Sequence, residues 1–307
     1  MEKWFVKNIK ADLDLLSKQI GVNKLLCKLM VNRKLKGLNQ MDSFINPSLD
    51  KLHNPFLMAD MDLGVKIILN SINNNEKIRI SGDYDQDGNS AILTLYNGLS
   101  KINANVDYVI PHRIKDGYGI NERIVREAKE DNVDLIITCD NGIAAFEPIK
   151  LAKELGIKVI VTDHHDLSYI EANGEKKYLL PEADAVINPK RWDCKYPFDE
   201  LCGAGVAFKL IQGIYMEKNI DMEEAYKLLE FVAMGTVCDV VDLIDENRII
   251  VKEGLERINN TTNIGLKALI KATGLENKTI NTYSLGFILG PCINASGRLD
   301  NAEIAVE

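Results

Sequence analysis

No two cysteines in this 307-residue chain stand in C-x-x-C spacing, and the six thiols, at 27, 139, 194, 202, 238 and 292, form no zinc-finger pattern. Free thiols in a reducing compartment are the expectation. Cys139 and Cys238 each precede an acidic residue, which leaves open a soft-metal role beside the plainer one of small buried residues. No apolar run is long enough to span a bilayer. Met1-Glu-Lys-Trp-Phe leads into charged, amphipathic sequence rather than a signal-peptide core, so the cytoplasm is expected and no membrane partner. Positive charge is in deficit: 37 Lys and Arg face 45 Asp and Glu, a net charge of −8. That argues against a binder held to nucleic acid by charge alone. It leaves room for an enzyme acting on nucleic acid, because carboxylates that bind divalent cations bias the count negative. Low-complexity tracts and internal repeats are also lacking.

What is present is a globular composition, 46% hydrophobic and 27% charged, in a chain long enough to bury a sizeable core. Residues 1 to about 60 are mixed and helical, with Asn23 a candidate N-cap. From Lys77 the pattern alternates strand with helix: strands at 78–82, 106–110, 134–139 and 157–162, helices at 89–101, 121–130 and 144–155. Residues 185–188 add one more short strand. Strands separated by helical patterns of this length imply a parallel sheet covered on both faces. The polar stretch 171–182 reads as a surface excursion. Beyond residue 200 the chain turns helical, at 204–217, 222–234, 248–259, 263–273 and 281–289. The fold class is therefore α/β: a parallel sheet flanked by helices, with a helical C-terminal portion.

The chemistry concentrates where apolar runs stop. Ile157 to Val161 ends in Thr162-Asp163-His164-His165-Asp166. Three more apolar runs end in acidic residues: 78–82 in Asp83-Tyr-Asp85-Gln-Asp87-Gly88, 135–139 in Asp140-Asn-Gly142, and 234–238 in Asp239. Ligand chemistry in open α/β sheets collects at the carboxyl ends of strands. If the segment after 82 is extended, Asp83, Asp85 and Asp87 crowd one side. As an alternative they form an acidic turn capping the following helix. Asp140 and Asp239 each suit a helix cap as readily as a ligand. Adjacent histidines project in different directions, so one can bind a metal while the other faces a phosphate. Mixed His and Asp ligation suits Mn²⁺, or Mg²⁺ where oxygens dominate. Two such ions can activate a water and stabilise a phosphoryl group under attack.

Asp163-His164-His165 resembles the signature of the DHH phosphoesterases. Asp83-Tyr-Asp85-Gln-Asp87-Gly, Thr138-Cys-Asp140-Asn-Gly and Gly235-Thr-Val-Cys-Asp239-Val-Val are similar to three further motifs of that family. Pro111-His-Arg113, Gly117-Tyr118-Gly119 and Gly290-Pro-Cys-Ile-Asn294-Ala-Ser-Gly297-Arg298-Leu resemble the RecJ-like branch, exonucleases specific for single strands. One departure stands out: Cys292 occupies a place that is usually arginine in that branch.

The resemblance implies Asp85, Asp87, Asp140, His164 and Asp239 as metal ligands for two Mn²⁺ or Mg²⁺ ions. Asp83 and His165 complete the catalytic set beside them. Arg113, Tyr118, Asn294 and Arg298 would contact substrate: the arginines on phosphates, Tyr118 on a base or over its own loop. It implies 5′→3′ hydrolysis of single-stranded DNA to 5′-mononucleotides in repair and recombination, with single-strand-binding protein and a helicase as partners. Residues 1–75 would be an N-terminal helical segment packed on a catalytic domain spanning 76–307, mainly helical from 200. The DHH-associated and oligonucleotide-binding domains of the family have no counterpart here, so the expectation is a catalytic core cut from a longer chain. Two alternatives share the motifs: a DHH-type phosphodiesterase acting on short oligoribonucleotides or cyclic dinucleotides, and a non-catalytic scaffold.

Overall fold

The computed structural model describes residues 10–35, 37–113, 116–172, 174–299 and 305–306, without the side chains of 296–299. The chain divides into two compact units, 1–52 and 53–307. In the first lie helices α1 (Leu13–Ile20), α2 (Lys24–Asn32) and α3 (Gly37–Ile45). Asn23 caps α2 as its sequence position suggests, its side chain accepting from Leu26 N at 2.9 Å.

The second unit opens with α4 (Met61–Asn73) and then builds a sheet from β1 (Ile78–Ser81), β2 (Val106–Val109), β3 (Leu135–Cys139) and β4 (Lys158–Thr162). Between them run α5 (Gln86–Ser100), α6 (Glu122–Glu130) and α7 (Phe146–Glu154). A hairpin, β5 (Tyr169–Ala172) with β6 (Glu175–Tyr178), precedes β7 (Ala185–Ile187). The five main strands are all parallel, in the order β2-β1-β3-β4-β7. The order reverses between β1 and β3. The loops leaving those two strands therefore flank the switch point where open α/β sheets leave a crevice.

Side-chain alternation explains the layers. Ile136, Val159, Val161 and Val186 point to the face covered by α6 and α7, in one core with Ile124, Ile149 and Ala152. On the other face, a side chain at Gly64 of α4 would meet Ile187, Ile160 and Ala185, so this helix lies directly on β4 and β7. Burial on both faces is why these strands read as continuous apolar runs rather than alternating ones.

The remainder is helical: α8 (Gly203–Glu217), α9 (Met222–Tyr226), α10 (Leu229–Cys238), α11 (Asp245–Asn259), α12 (Ile264–Ala272), α13 (Thr282–Ser284), a π-turn at Leu285–Leu289, and α14 (Gly290–Leu299). A second core of Met234, Ile258, Leu266, Leu275, Leu285 and Leu289 holds this part together.

Four local expectations change. Helix α5 starts at Gln86 rather than at residue 89, so Asp85 is its N-cap and Asp87 stands in its first turn; the three carboxylates are not on one extended segment. The acidic-turn alternative holds here, since Asp85 accepts from Gly88 N at 3.0 Å. The predicted helix 222–234 is two helices, and the second runs on to Cys238, so Asp239 ends a helix. The excursion at 171–182 overlaps the paired hairpin β5–β6, which begins two residues earlier at Tyr169. The Gly-Pro-Cys-Ile-Asn-Ala stretch, given no element from sequence, lies in α14. Among the described residues no helix is long and apolar enough to cross a membrane.

Candidate metal centre

Four elements deliver acidic or imidazole groups to one place at the carboxyl end of the sheet. The loop after β1 brings Asp83, Asp85 and Asp87; β3 ends in Asp140; β4 ends in Asp163, His164 and His165; α10 ends in Asp239. Their candidate ligand atoms form three overlapping groups, each within 4.8 Å: Asp83, Asp85 and Asp140; Asp87, His164 and Asp239; Asp140, His164 and His165. The first two groups share no residue, so the cluster has room for two cations, one among carboxylates and one in a mixed Asp/His setting.

Local backbone geometry aims these groups. Asp140 sits in the left-handed region at φ +62°, which swings its side chain off the strand direction. Asn141 fixes that turn by donating from Nδ2 to the carbonyls of Ser81 and Cys139 at 3.0 and 2.9 Å. Asp87 accepts from Gly203 N at 2.6 Å and Ala204 N at 3.0 Å, so its carboxylate meets the positive end of α8. Helix α8 can come this close because residue 203 is glycine: a Cβ there would stand 2.5 Å from the Asp140 side chain. Asp239, by contrast, sits at the negative end of α10, where the helix dipole opposes its charge.

The electrostatics are those of an uncompensated anion cluster. Burial, then the charges of Asp87 and Asp85, hold the Asp140 carboxyl well above the usual carboxylate range. Burial followed by Asp85 pushes Asp83 up to about 7, and burial followed by Asp87 and Asp85 pushes Asp239 up to about 7. Burial lowers His164, leaving its imidazole neutral and able to donate a lone pair. Oδ1 of Asp140 and Nε2 of His164 are buried without a hydrogen-bond partner, and the buried Asp83 carboxyl meets only the backbone N–H groups of Tyr84 and Gly119, without close hydrogen-bond geometry. His164 Nε2 and Asp140 Oδ1 stand 3.1 Å apart. Among the described residues, no Lys or Arg forms an ion pair with these carboxylates. Orphaned oxygens and an orphaned ring nitrogen around one point are what a divalent cation would satisfy. The donor set fits Mn²⁺ or Mg²⁺.

Asp163 behaves differently. Burial alone would raise it, but hydrogen bonds outweigh burial and hold it below the usual range. Its Oδ1 accepts from His165 Nδ1 at 2.7 Å and from the amides of His164 and His165; its Oδ2 accepts from Ile143 N at 2.9 Å. Asp163 therefore positions the two histidines. The hydrogen bond to Asp163 raises His165, whose ring is half-exposed at the rim with Nε2 3.3 Å from the Tyr118 hydroxyl. Tyr118 donates to the Asp140 carbonyl at 2.8 Å, which ties its loop to the centre. Arg113 is exposed, its guanidinium 5.3 Å from the Tyr84 ring, and Tyr84 in turn meets Tyr118 edge-on at 6.3 Å.

Asp83, Asp85, Asp87, Asp140, His164 and Asp239 are thus brought together, with His165, Tyr118 and Arg113 along one rim. Asn294 lies on α14, its Oδ1 buried and without a partner. The side chain of Arg298 lies outside the described residues. No cysteine joins any group among the described residues, and burial, followed by nearby carboxylates, keeps Cys139 and Cys238 protonated thiols, the latter pushed up to about 12. Sequence reading gave no role to Asp163 as orienter, to Asn141 as a brace, or to Tyr84. For Asp163 the signal was its place at a strand end directly before both histidines.

A parallel sheet with carboxylates and histidine clustered at its switch point is the setting of a divalent-metal site in an open α/β fold. The chain belongs to the DHH family: the family's N-terminal domain matches residues 77–236. It is similar to the single-stranded-DNA-specific exonuclease RecJ of Bacillus subtilis (strain 168), 40% identical over 291 residues, which cover 95% of this chain and 35% of that protein. With its Escherichia coli (strain K12) counterpart it shares 38% identity over 260 residues, 81% of this chain and 44% of that one. Among solved structures, an exonuclease RecJ bound to manganese superposes with a TM-score of 0.72 at 32% identity, covering 84% of this chain and 62% of that one. The RecJ of Thermus thermophilus in complex with Mn²⁺ gives 0.76 at 27% identity, covering 96% and 40%. The chain spans less than half the length of these curated relatives.

Proposed function

We propose that this chain hydrolyses phosphodiester bonds in single-stranded DNA from the 5′ end, releasing 5′-mononucleotides, with two divalent ions, Mn²⁺ or Mg²⁺. The observation that carries the reading is the largely buried anion cluster with orphaned ligand atoms and no Lys or Arg ion pair to neutralise it among the described residues. Its similarity to RecJ proteins, and to structures of two of them with manganese, supports the substrate and the metal. Residues 76–307 are the proposed catalytic part, acting in the cytoplasm on repair or recombination intermediates. A substrate that must be single-stranded calls for a helicase to separate it and a single-strand-binding protein to keep it open; these are the proposed partners.

Asp85, Asp87, Asp140, His164 and Asp239 would hold the ions, with Asp83 beside Asp85 and Asp140. Bound there, divalent ions acidify water and neutralise charge that builds on a phosphoryl group. The protein's own residues do the rest. His164 presents a neutral nitrogen, and its backbone N–H donates to Asp163 Oδ1, which holds the residue in place. His165, held by Asp163 with its affinity for a proton increased, offers positive charge to the open side, where a phosphate would arrive. Arg113, spread over Tyr84, offers a planar fork for a terminal phosphate. Asn294 and Arg298 are proposed on the same substrate path. No side-chain nucleophile is needed.

The test is Mn²⁺-dependent release of label from 5′- and 3′-labelled single-stranded DNA, with duplex and short RNA as competitors, beside Asp140→Ala and His164→Ala. Label freed first from the 5′ end, and lost in both variants, is the expected result. Turnover of dinucleotides or cyclic dinucleotides without DNA cleavage would replace it with the small-substrate reading. Metal binding with no turnover on any substrate would favour a scaffold.

A further inference from the structure

The hairpin β5–β6 carries a cluster of aromatic side chains that neither the sheet nor the metal centre uses. Tyr169, Tyr178 and Trp192 are all more than 40% exposed. Single exposed apolar residues are ordinary, but three aromatic rings together on one rim are not. Tyr169 and Tyr178 are direct cross-strand partners, edge to face at 6.1 Å. Tyr178 stacks on the Trp192 indole with centroids 6.0 Å apart and planes 14° from parallel. With Lys176 and Lys190 they line a cleft of about 360 Å³, whose floor includes Asp166 and Leu167.

This cleft borders the loop that carries the two histidines. Asp166 and Leu167 follow His165 directly in the chain. Asn188 donates to the His165 carbonyl at 3.0 Å and accepts from Lys190 N at 2.8 Å, so one side chain braces both the histidine loop and the cleft wall. Trp192 is also held in place. Its neighbour Arg191 is buried and forks between Asp60 Oδ2 at 2.6 Å, the Val186 carbonyl at 2.6 Å and Asp193 at 2.7 and 2.9 Å. An exposed indole on a backbone pinned from both sides loses little freedom when a flat partner stacks on it.

We propose that the Tyr178–Trp192 cleft is a nucleobase-stacking subsite for a single-stranded nucleic acid whose scissile phosphate lies at the metal centre. The inference rests on the hydrolase reading and deepens it by naming where a second part of the strand is held. Base stacking on aromatic rings is tolerant of sequence, as a hydrolase acting along a strand of any sequence requires, and it needs no net positive charge, which this acidic chain lacks. Lys190 pairs with Asp166 at 3.1 Å, but Asp166 is 92% exposed, so a backbone phosphate can replace that partner at little cost. Lys176 lies over the Tyr169 ring at 3.9 Å, leaving its charge at the mouth of the cleft.

Only two tryptophans occur in the chain, Trp4 and Trp192. In a Trp4→Phe background with Ca²⁺ in place of Mn²⁺, an oligo-dT 12-mer should quench the remaining indole along the same curve that anisotropy reports for binding. Trp192→Ala and Tyr178→Ala should each weaken 12-mer binding about tenfold, and Trp192→Phe should restore most of it. With Mn²⁺, the loss should fall on KM for the 12-mer rather than on kcat. A saturated complex with unquenched Trp192, or unchanged affinity and KM in both alanine variants, overturns the subsite while leaving the hydrolase reading intact. Absence of hydrolysis by the wild type overturns the hydrolase reading instead, and the fluorescence arm, which needs no turnover, still decides the subsite.

Discussion

Two buried groups of charges among the described residues are built on opposite plans. In the first, Lys209, fully buried, donates to Glu246 at 2.6 Å, to the His53 carbonyl at 2.8 Å and to Gln212 at 2.9 Å. Glu246 is completed by the Tyr196 hydroxyl at 2.5 Å and by His53 N at 2.9 Å. Cation, anion and hydrogen-bond partners are all supplied by the chain. In the second, Asp83, Asp87 and Asp140 are buried, Asp239 is half-buried and Asp85 exposed; none forms an ion pair with a Lys or Arg among the described residues, and several ligand atoms have no partner. A closed ion pair ties helices together and leaves nothing to bind. An open cluster stores repulsion that only an ion from solution can relieve. The difference separates scaffold from site more clearly than burial or charge does alone.

The largest effect tests the open cluster. Asp140→Asn removes one charge without changing shape and is expected to lower kcat/KM on 5′-labelled single-stranded DNA by more than about a thousandfold. Loss of function with retained far-UV circular dichroism would be the signature.

Next comes the closed pair. Lys209→Met strands Glu246 in the core and should cost about 3–5 kcal/mol in urea unfolding. Lys209→Met with Glu246→Gln should recover part of that loss, because the isolated charge is gone.

The third contrast is response to metal. Mn²⁺ at a hundred times its Kd should stabilise the wild type by about 2.7 kcal/mol. The same gain should survive in Lys209→Met and shrink in Asp140→Asn. Differential scanning fluorimetry with and without chelator measures both.

Metal-free, the sign should invert: Asp140→Asn should be more stable than the wild type by about 1 kcal/mol, since it relieves repulsion among buried carboxylates. A metal-free Tm below that of the wild type would contradict the stored-repulsion account.

The smallest effect concerns His53, half-buried and 2.8 Å from Asp245 beside the closed pair. The hydrogen bond to Asp245 raises its pKa. A raised histidine contributes stability that is full below its unfolded value, near 6.5, and lost as pH rises through the folded value. The wild type should therefore lose under about 1 kcal/mol relative to His53→Gln between pH 6 and 8, read from paired urea titrations.

The sequence by itself determined the sheet and the residue types of the site. Apolar runs buried on both faces are visible as runs, and carboxylates at their ends announce the metal chemistry, because strand ends are where loops are free to carry polar groups. Asp83, Asp140 and His164 were legible for that reason. Tertiary structure alone decided the rest. That Asp239 ends a helix rather than a strand follows from the packing of α10 against α5 and α11, which a short apolar run does not encode. The separation of Asp163, satisfied by amides, from Asp140, left open, depends on which backbone N–H groups the fold turns toward each carboxylate. The pairing of Lys209 with Glu246 joins residues on different helices, and the stacking of Tyr178 on Trp192 joins a hairpin to a separate loop. Charge and aromaticity are properties of a residue, but whether they are neutralised, orphaned or exposed is a property of its neighbours, and those are chosen only when the chain closes on itself.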